Sequence, residues 1–171
     1  MPRLATLFRR NDTKWPRDAY AALVAEARQP DWYLGGKVPD TMDGRFGLLS
    51  TLVALAILRL EDGGEEAVHA SVHLTELFIE DMDAQMRQAG FGDPSLGKQV
   101  RSLVGALAAR VERWRPAIAG GEGWIEAVRW SVYRDAEAEE SALTMSSEKL
   151  RRFQERLAGA DDSEIIRGRW P

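Results

Sequence analysis

Two histidines and three glutamates in one stretch come nearest to doing chemistry. Glu66-Ala-Val-His69 has the Glu-x-x-His spacing of di-iron helical bundles, and His69, His73, Glu76 and Glu80 follow one another at intervals of four, three and four. At 100° per residue these four lie within roughly 60° of one another on a helix, so they could offer imidazole and carboxylate groups to one ion. A di-iron site takes a second Glu-x-x-His and two further glutamates, and the chain has only these two histidines. A small helical metal-binding enzyme using this face therefore stands as the alternative. The competing reading is a solvated polar face opposite an apolar stripe.

Asp81 and Asp83 look like a magnesium pair, but positions two apart on a helix point about 200° away from each other and cannot share an ion unaided. Asp81 falls beside Leu74 and Leu77, where a carboxylate that becomes buried needs a partner. Arg45 is the first candidate, against the reading of Asp81 as an ordinary exposed acid. Gly35-Gly36-Lys37 lacks the upstream glycine and the following Ser or Thr of a phosphate loop and reads as a turn. Of the six tryptophans, Trp114 and Trp124 fall on core faces, and Trp32, Trp130 and Trp170 are the candidates for an exposed patch. Asp40 and Asp43 stand where the start of a helix favours acids, Asp40 as N-cap and Asp43 at a capping-box position. Gly44 and Gly47 then put two poor helix formers into the first turns, which predicts a close approach to that backbone.

The elements that must position these groups are helical. Ala, Leu, Glu and Arg dominate, alternating β-branched runs are missing, and Pro16, Pro30, Pro39, Pro94 and Pro116 fall near the ends of apolar-periodic stretches. About six helices are predicted. The first runs from about Pro16 to Arg28, and the second, about 41–60, is apolar on nearly all sides and central. The third, about 65–89, has Val68, Val72, Thr75, Ile79, Met82 and Met86 as its inward stripe. The fourth starts at Asp93-Pro94 with Leu96, Val100, Leu103, Leu107, Trp114 and Ile118 inward. In the fifth, Trp124, Val128 and Val132 point inward, with Trp130 and Tyr133 elsewhere. The sixth starts from a serine cap at Ser146-Ser147 and carries Leu150, Phe153 and Leu157. The expected architecture is a single all-α domain over 16–158, preceded by a basic segment, 1–15, and followed by a polar tail, 159–171, whose Ile165-Ile166 could dock or fray.

Composition sets limits on function. At 171 residues, 44% apolar and 29% charged, the chain has the size and balance of one water-soluble domain. It has no cysteine, which excludes disulfides and thiolate sites. The 13 uncharged residues between Arg45 and Arg59 fall short of the roughly 20 that span a bilayer. No signal-peptide pattern opens the chain, and a cytoplasmic location is expected. Net charge is −4, but residues 61–100 hold nine acids and two bases while the first sixty residues carry a net +3. With no basic stripe, nucleic acid is not expected as a partner, whereas the basic start could lie against an anionic surface.

VPDTMDGRF (38–46) followed by the apolar helix, then DMDAQMRQAGFGD (81–93) and SLGKQVRSL (95–103), with ARQPDWY (27–33) before and VRWSVY (128–133) after, resembles the ubiquinol–cytochrome c chaperone family of respiratory complex III assembly factors. The resemblance covers roughly Ala19 to Tyr133. It implies an all-helical, non-enzymatic protein without catalytic residues, metal or cofactor. It also implies that this protein binds newly made cytochrome b, with a second assembly factor as a further possible partner and peripheral association with the inner membrane. The family pattern falls on Val38, Pro39, Asp40, Thr41, Asp43, Gly44, Arg45 and Phe46, on Asp81, Met82, Asp83, Gly90, Gly92, Asp93, Gly97, Lys98 and Val100, and near Arg129 and Tyr133. It departs at Leu107–Arg110, LAAR where an aromatic-glycine-arginine element is expected, and at Ser131 in place of asparagine. The client groove is expected beside the second and third helices. A helical adaptor for some other partner is the remaining alternative.

Overall fold

The computed structural model describes residues 15–90, 92–134 and 136–170, with only the backbone of 15, 93, 94 and 96. Among them are eight α-helices and one π-helical turn, and no strand: α1 (Trp15–Ala27), α2 (Pro30–Leu34), α3 (Met42–Glu61), α4 (Glu65–Gln88), α5 (Asp93–Gly120), α6 (Trp124–Val128), the π turn (Arg129–Tyr133), α7 (Glu140–Gly159) and α8 (Asp162–Ile166). The fold is all-α, as expected. The two helices beyond six are short ones, α2 and α8. The basic segment lies almost wholly outside the described residues.

Helix α3 is the axis of the molecule. Every residue from Phe46 to Leu58 is buried, as a helix that is apolar all round must be, and α1, α4, α5, the π turn and α7 pack around it. Ser50 and Thr51 are buried there because their hydroxyls donate back to the carbonyls of Phe46 and Gly47, at 2.6 and 2.7 Å, leaving no polar atom orphaned.

The buried side of α4 is Ala67, Ala70, Ser71, Leu74, Phe78 and Met82. The stripe expected from the sequence is one residue out of register with it. Met82 is common to both, but Val68 and Val72 are 40% and 56% exposed. Small Ala and Ser side chains let α4 sit close to α3, and the valines are turned outward. On α5 the inward row is Leu107, Arg110, Trp114 and Ala117, with Pro116 inside the helix near its end. Helix α7 starts at Glu140, so Ser146 and Ser147 are buried residues of its interior and not its cap.

The last residues join the core. Asp161 and Glu164 form a capping box at the start of α8, Ile165 and Ile166 are buried, and Trp170 meets Phe153 edge-on at 6.0 Å. Asp162 Oδ2 accepts from the backbone N–H of Gly64 at 2.8 Å, and Oδ1 accepts from Arg59 at 2.9 Å, so α8 caps the start of α4 and is tied to the end of α3. Those bonds, the Gly64 N–H first and Arg59 second, hold the Asp162 carboxyl below its usual range. A depressed native pKa gives stability that is present above the unfolded value, about 3.9, and lost as pH falls through the native one. Asp162→Asn is expected to cost about 1 kcal/mol near neutrality, a modest value because the pair is half-exposed. Urea titrations at pH 7 and pH 3 check it, since the difference from the parent should shrink at the lower pH.

Candidate functional site

The segment Val38–Phe46 forms the entry to α3. Val38 is buried, and its N–H donates to the Trp32 carbonyl at 3.0 Å. The N-cap is Thr41, whose hydroxyl accepts from Gly44 N–H at 3.1 Å. Asp40, expected to hold that place, instead pairs with Arg45 at 2.7 Å on the open surface, and Arg45 keeps the Asp40 carboxyl below the usual range. Asp43 is exposed in the first turn, where the helix dipole favours an acid.

Both glycines face backbone. A Cβ on Gly44 would overlap the carbonyl oxygen of Pro39, and one on Gly47 would lie 3.1 Å from the Ser131 carbonyl and 3.3 Å from that of Val132. The close approach predicted from the sequence is therefore made by the chain itself, through the preceding loop and the π turn.

Arg45 does not reach Asp81, a correction to the expected pairing. Asp81 accepts a 2.6 Å hydrogen bond from the Tyr20 hydroxyl of α1. Burial, and then the neighbouring carboxylate, push the Tyr20 phenol far above its ordinary range, so it stays a donor. Met82 is buried, and Asp83 accepts from Arg87 at 2.9 Å. Gly92 is at the N-cap position of α5, the side chain of Asp93 lies outside the described residues, and Lys98 is exposed. These positions share α4 and α5, but no hydrogen bond or ion pair among the described residues links them to Val38–Phe46.

What does meet that segment is a network centred on Arg110, the last residue of the LAAR departure. Phe46 lies 5.8 Å from Phe78 of α4 and under the guanidinium of Arg110, 5.4 Å from its centroid. Arg110 is only 2% exposed. It donates to the carbonyls of Ala106 at 3.1 Å and Ser131 at 2.9 Å, has a buried Nε with no partner, and pairs with no carboxylate among the described residues. Burial, helped by Arg134, brings its pKa down to about 10, so it remains charged at neutral pH. Its signal was present in the sequence: an arginine stands in the inward row between Leu107 and Trp114.

Trp114 Nε1 donates to the Ser131 hydroxyl at 2.9 Å. The two departures from the family pattern, LAAR and Ser131, are in direct contact through the Arg110 guanidinium and the Ser131 carbonyl. Tyr133, expected away from the core, is buried because the π turn carries an extra residue into its span and places Ser131, Val132 and Tyr133 inward in succession. Its hydroxyl meets the carbonyls of Gly36 and Ala142 at 2.5 and 3.0 Å and Ser146 Oγ at 2.8 Å, tying the turn before α3 to α7. A cleft of about 310 Å³ opens beside the network, between Pro39, Thr41, Asp43 and Gly44 on one side and Val132, Arg134 and Ala136 on the other. Arg134 ends the π turn at φ +54°, a backbone conformation that non-glycine residues rarely adopt.

The tryptophans separate differently from expectation. Trp32 is fully buried, its Nε1 donating to the Glu26 carbonyl at 2.9 Å, and Trp170 is half-buried. Trp130 is 37% exposed. On the polar face of α4, His73 pairs with Glu76 at 3.0 Å, and no group of three His, Asp or Glu among the described residues has the geometry to hold a metal ion.

Known proteins give this arrangement a context. The family model described as ubiquinol–cytochrome c chaperone matches residues 35–171, well over half of the chain. The chain belongs to the ubiquinol–cytochrome c chaperone family. Its match begins at the turn before α3 and runs through α8, so the Thr41 cap, the Arg110 network and the docked C-terminal residues all lie within it. The fold is similar to the crystal structure of the Cbp3 homolog from Brucella abortus, with a TM-score of 0.78 at 24% identity over 92% of this chain and 88% of that one. Among curated proteins none matches. Family membership supports a chaperone or assembly role with a client in cytochrome bc1 assembly. No helix among the described residues is long and apolar enough to cross a membrane.

Proposed function

We propose that this family member is a non-enzymatic chaperone that holds newly made cytochrome b during assembly of the ubiquinol–cytochrome c reductase complex. In this reading it works at the cytoplasmic face of the inner membrane and shares the task with a second assembly factor. The observation that carries the proposal is the set of aliphatic side chains left open on the neighbouring helices α4 and α5: Val68, Val72 and Val104 are 40%, 56% and 37% exposed. An unassembled membrane protein offers apolar helix faces, and an amphipathic surface receives these by burying its own exposed aliphatics. The client groove is expected from the sequence beside the second and third helices, α3 and α4; since α3 is covered on nearly every side, this reading puts the client on the exposed sides of α4 and α5.

The test is recovery of cytochrome b with the tagged protein from detergent-solubilised membranes. Val68→Asp/Val72→Asp is expected to lower that recovery at least about tenfold, since two aliphatic contacts are lost and charges are placed in an apolar interface. Its far-UV circular dichroism and unfolding midpoint should match the parent's, because both valines are exposed. A parent protein that does not enrich cytochrome b, together with normal complex III in a deletion strain, would sink the proposal.

A further inference from the structure

The cations around Trp130 are not neutralised by the fold. Arg45, Arg59, Arg115, Arg152 and Arg156 each have a carboxylate partner. Arg110, Arg113, Arg129 and Arg134 have none among the described residues, although the chain carries a net −4. Two of the four lie on the Trp130 ring, Arg113 at 4.9 Å and Arg110 at 5.4 Å from its centroid. Arg129 adjoins Trp130 in the chain. Arg134 stands one π turn further on, its N–H donating to the Arg129 carbonyl at 3.2 Å, and it is near enough to Arg110 to disfavour that residue's charge. Arg113, Arg129, Arg134 and Trp130 are all exposed. Mutual repulsion among like charges costs the folded state, so an unneutralised cluster of this kind points to an anionic partner.

We propose that the Arg113–Arg129–Trp130–Arg134 surface docks this protein on the anionic headgroups of a lipid bilayer. Guanidinium groups donate in a planar fork to phosphate oxygens, and tryptophan settles at the headgroup level, where its ring is half in apolar and half in wet surroundings. An acidic polypeptide is the weaker fit, since the cleft next to Arg134 in which a chain would lie is walled on its other side by the Asp43 carboxylate. Of the other acids, Glu112 adjoins Arg113, Glu126 stands one turn before Trp130, and Glu137, Glu139 and Glu140 follow Arg134; all five are exposed, and none forms an ion pair with Arg113, Arg129 or Arg134 among the described residues. The exposed Glu65, Glu66, Glu76 and Glu80 belong to α4, which packs chiefly against α1, α3, α5 and α8, whereas the π turn packs chiefly against α3 and α6. Arg113, Arg129 and Arg134 thus stay exposed and without a carboxylate partner among the described residues, open to an anionic surface.

This inference deepens the peripheral association proposed above by naming its surface. The full chain is tested by flotation with phosphatidylcholine vesicles, with and without phosphatidylglycerol. The expected result is binding that needs the anionic lipid and weakens with salt, and a loss on the order of a hundredfold in R113Q/R129Q/R134Q, about fivefold per arginine. Quenching of tryptophan fluorescence by brominated anionic lipid should fall in Trp130→Phe. Equal binding to uncharged vesicles, or unchanged binding of the triple variant, would overturn the proposal, as would loss of binding confined to R3Q/R9Q/R10Q. Capture of polyglutamate without vesicle binding would reassign the surface to acidic polypeptides. Cytochrome b recovery in detergent keeps the two readings apart: a triple variant that loses vesicles but retains the client supports docking, whereas a parent that floats without ever recovering the client defeats only the chaperone reading.

Discussion

Gly44→Ala is expected to lower unfolding stability by about 3 kcal/mol, even though alanine in a helix is worth roughly 1 kcal/mol over glycine. The added methyl would overlap the Pro39 carbonyl oxygen, and the Pro39 carbonyl carbon and Cβ lie behind that oxygen at 2.8 and 3.0 Å. Two of these three atoms are backbone, so no rotamer change relieves the clash. The chain must move, and Val38 is its buried anchor. Moving Pro39 also moves Thr41, whose hydroxyl caps the Gly44 N–H, so the cap, worth about 1 kcal/mol, is at risk from the same substitution. Gly105→Ala is the control. It lies inside α5, where an added methyl meets nothing within 4 Å, and it should gain about 0.5–1 kcal/mol through propensity alone. Urea unfolding followed by far-UV circular dichroism measures both. Equal effects of the two substitutions would mean that the approach of Pro39 does not constrain α3.

Much of this arrangement was legible in the residues, and the places where it was not share a cause. The burial of α3, the close approach at Gly44 and Gly47, and the inward positions of Leu107, Trp114, Trp124, Val128, Leu150, Phe153 and Leu157 follow from periodicity and from glycines placed where helices resist them. The inner face of α4 did not follow, because two apolar rows run along it one residue apart. Hydrophobicity favours the row with Val68 and Val72. Close packing against α3 favours the row with Ala67, Ala70 and Ser71, and volume decides. Asp40, two residues before Met42, looked like a cap; Thr41, next to it, is the residue whose hydroxyl reaches the first free N–H groups, and that releases Asp40 to Arg45. Tyr20, the partner of Asp81, is sixty-one residues away, and no local rule selects a tyrosine over an arginine at that distance. The burial of Tyr133 depends on a π turn, which breaks the 3.6-residue period that would have placed it. The capping box of α8, by contrast, stood in plain view as Asp161 and Glu164, three apart before Ile165-Ile166.

Trp114→Ala should be the most damaging change at the centre of the Arg110 network, costing about 3–5 kcal/mol as a large buried side chain cut back to a methyl. Trp114 is fully buried, meets Trp124 edge-on at 4.9 Å and donates to Ser131 Oγ, so it joins α5, α6 and the π turn at one point. Trp114→Phe separates the two contributions. It keeps most of the apolar area but removes the indole N–H, leaving the buried Ser131 hydroxyl without its donor, a loss of about 1–3 kcal/mol. Ser131→Ala orphans the indole N–H at similar cost, and the pair of substitutions together should cost less than their sum by about 0.5–1.5 kcal/mol. Strict additivity would show that the bond contributes nothing. The coupling also bears on the asparagine expected at position 131. Ser131 has no exposed surface, its hydroxyl is held by Trp114 and its carbonyl by Arg110, so Ser131→Asn alone must find room for a larger amide beside an indole and a guanidinium already in place. The short serine and the LAAR sequence of α5 fit each other, and restoring one without the other should destabilise this chain.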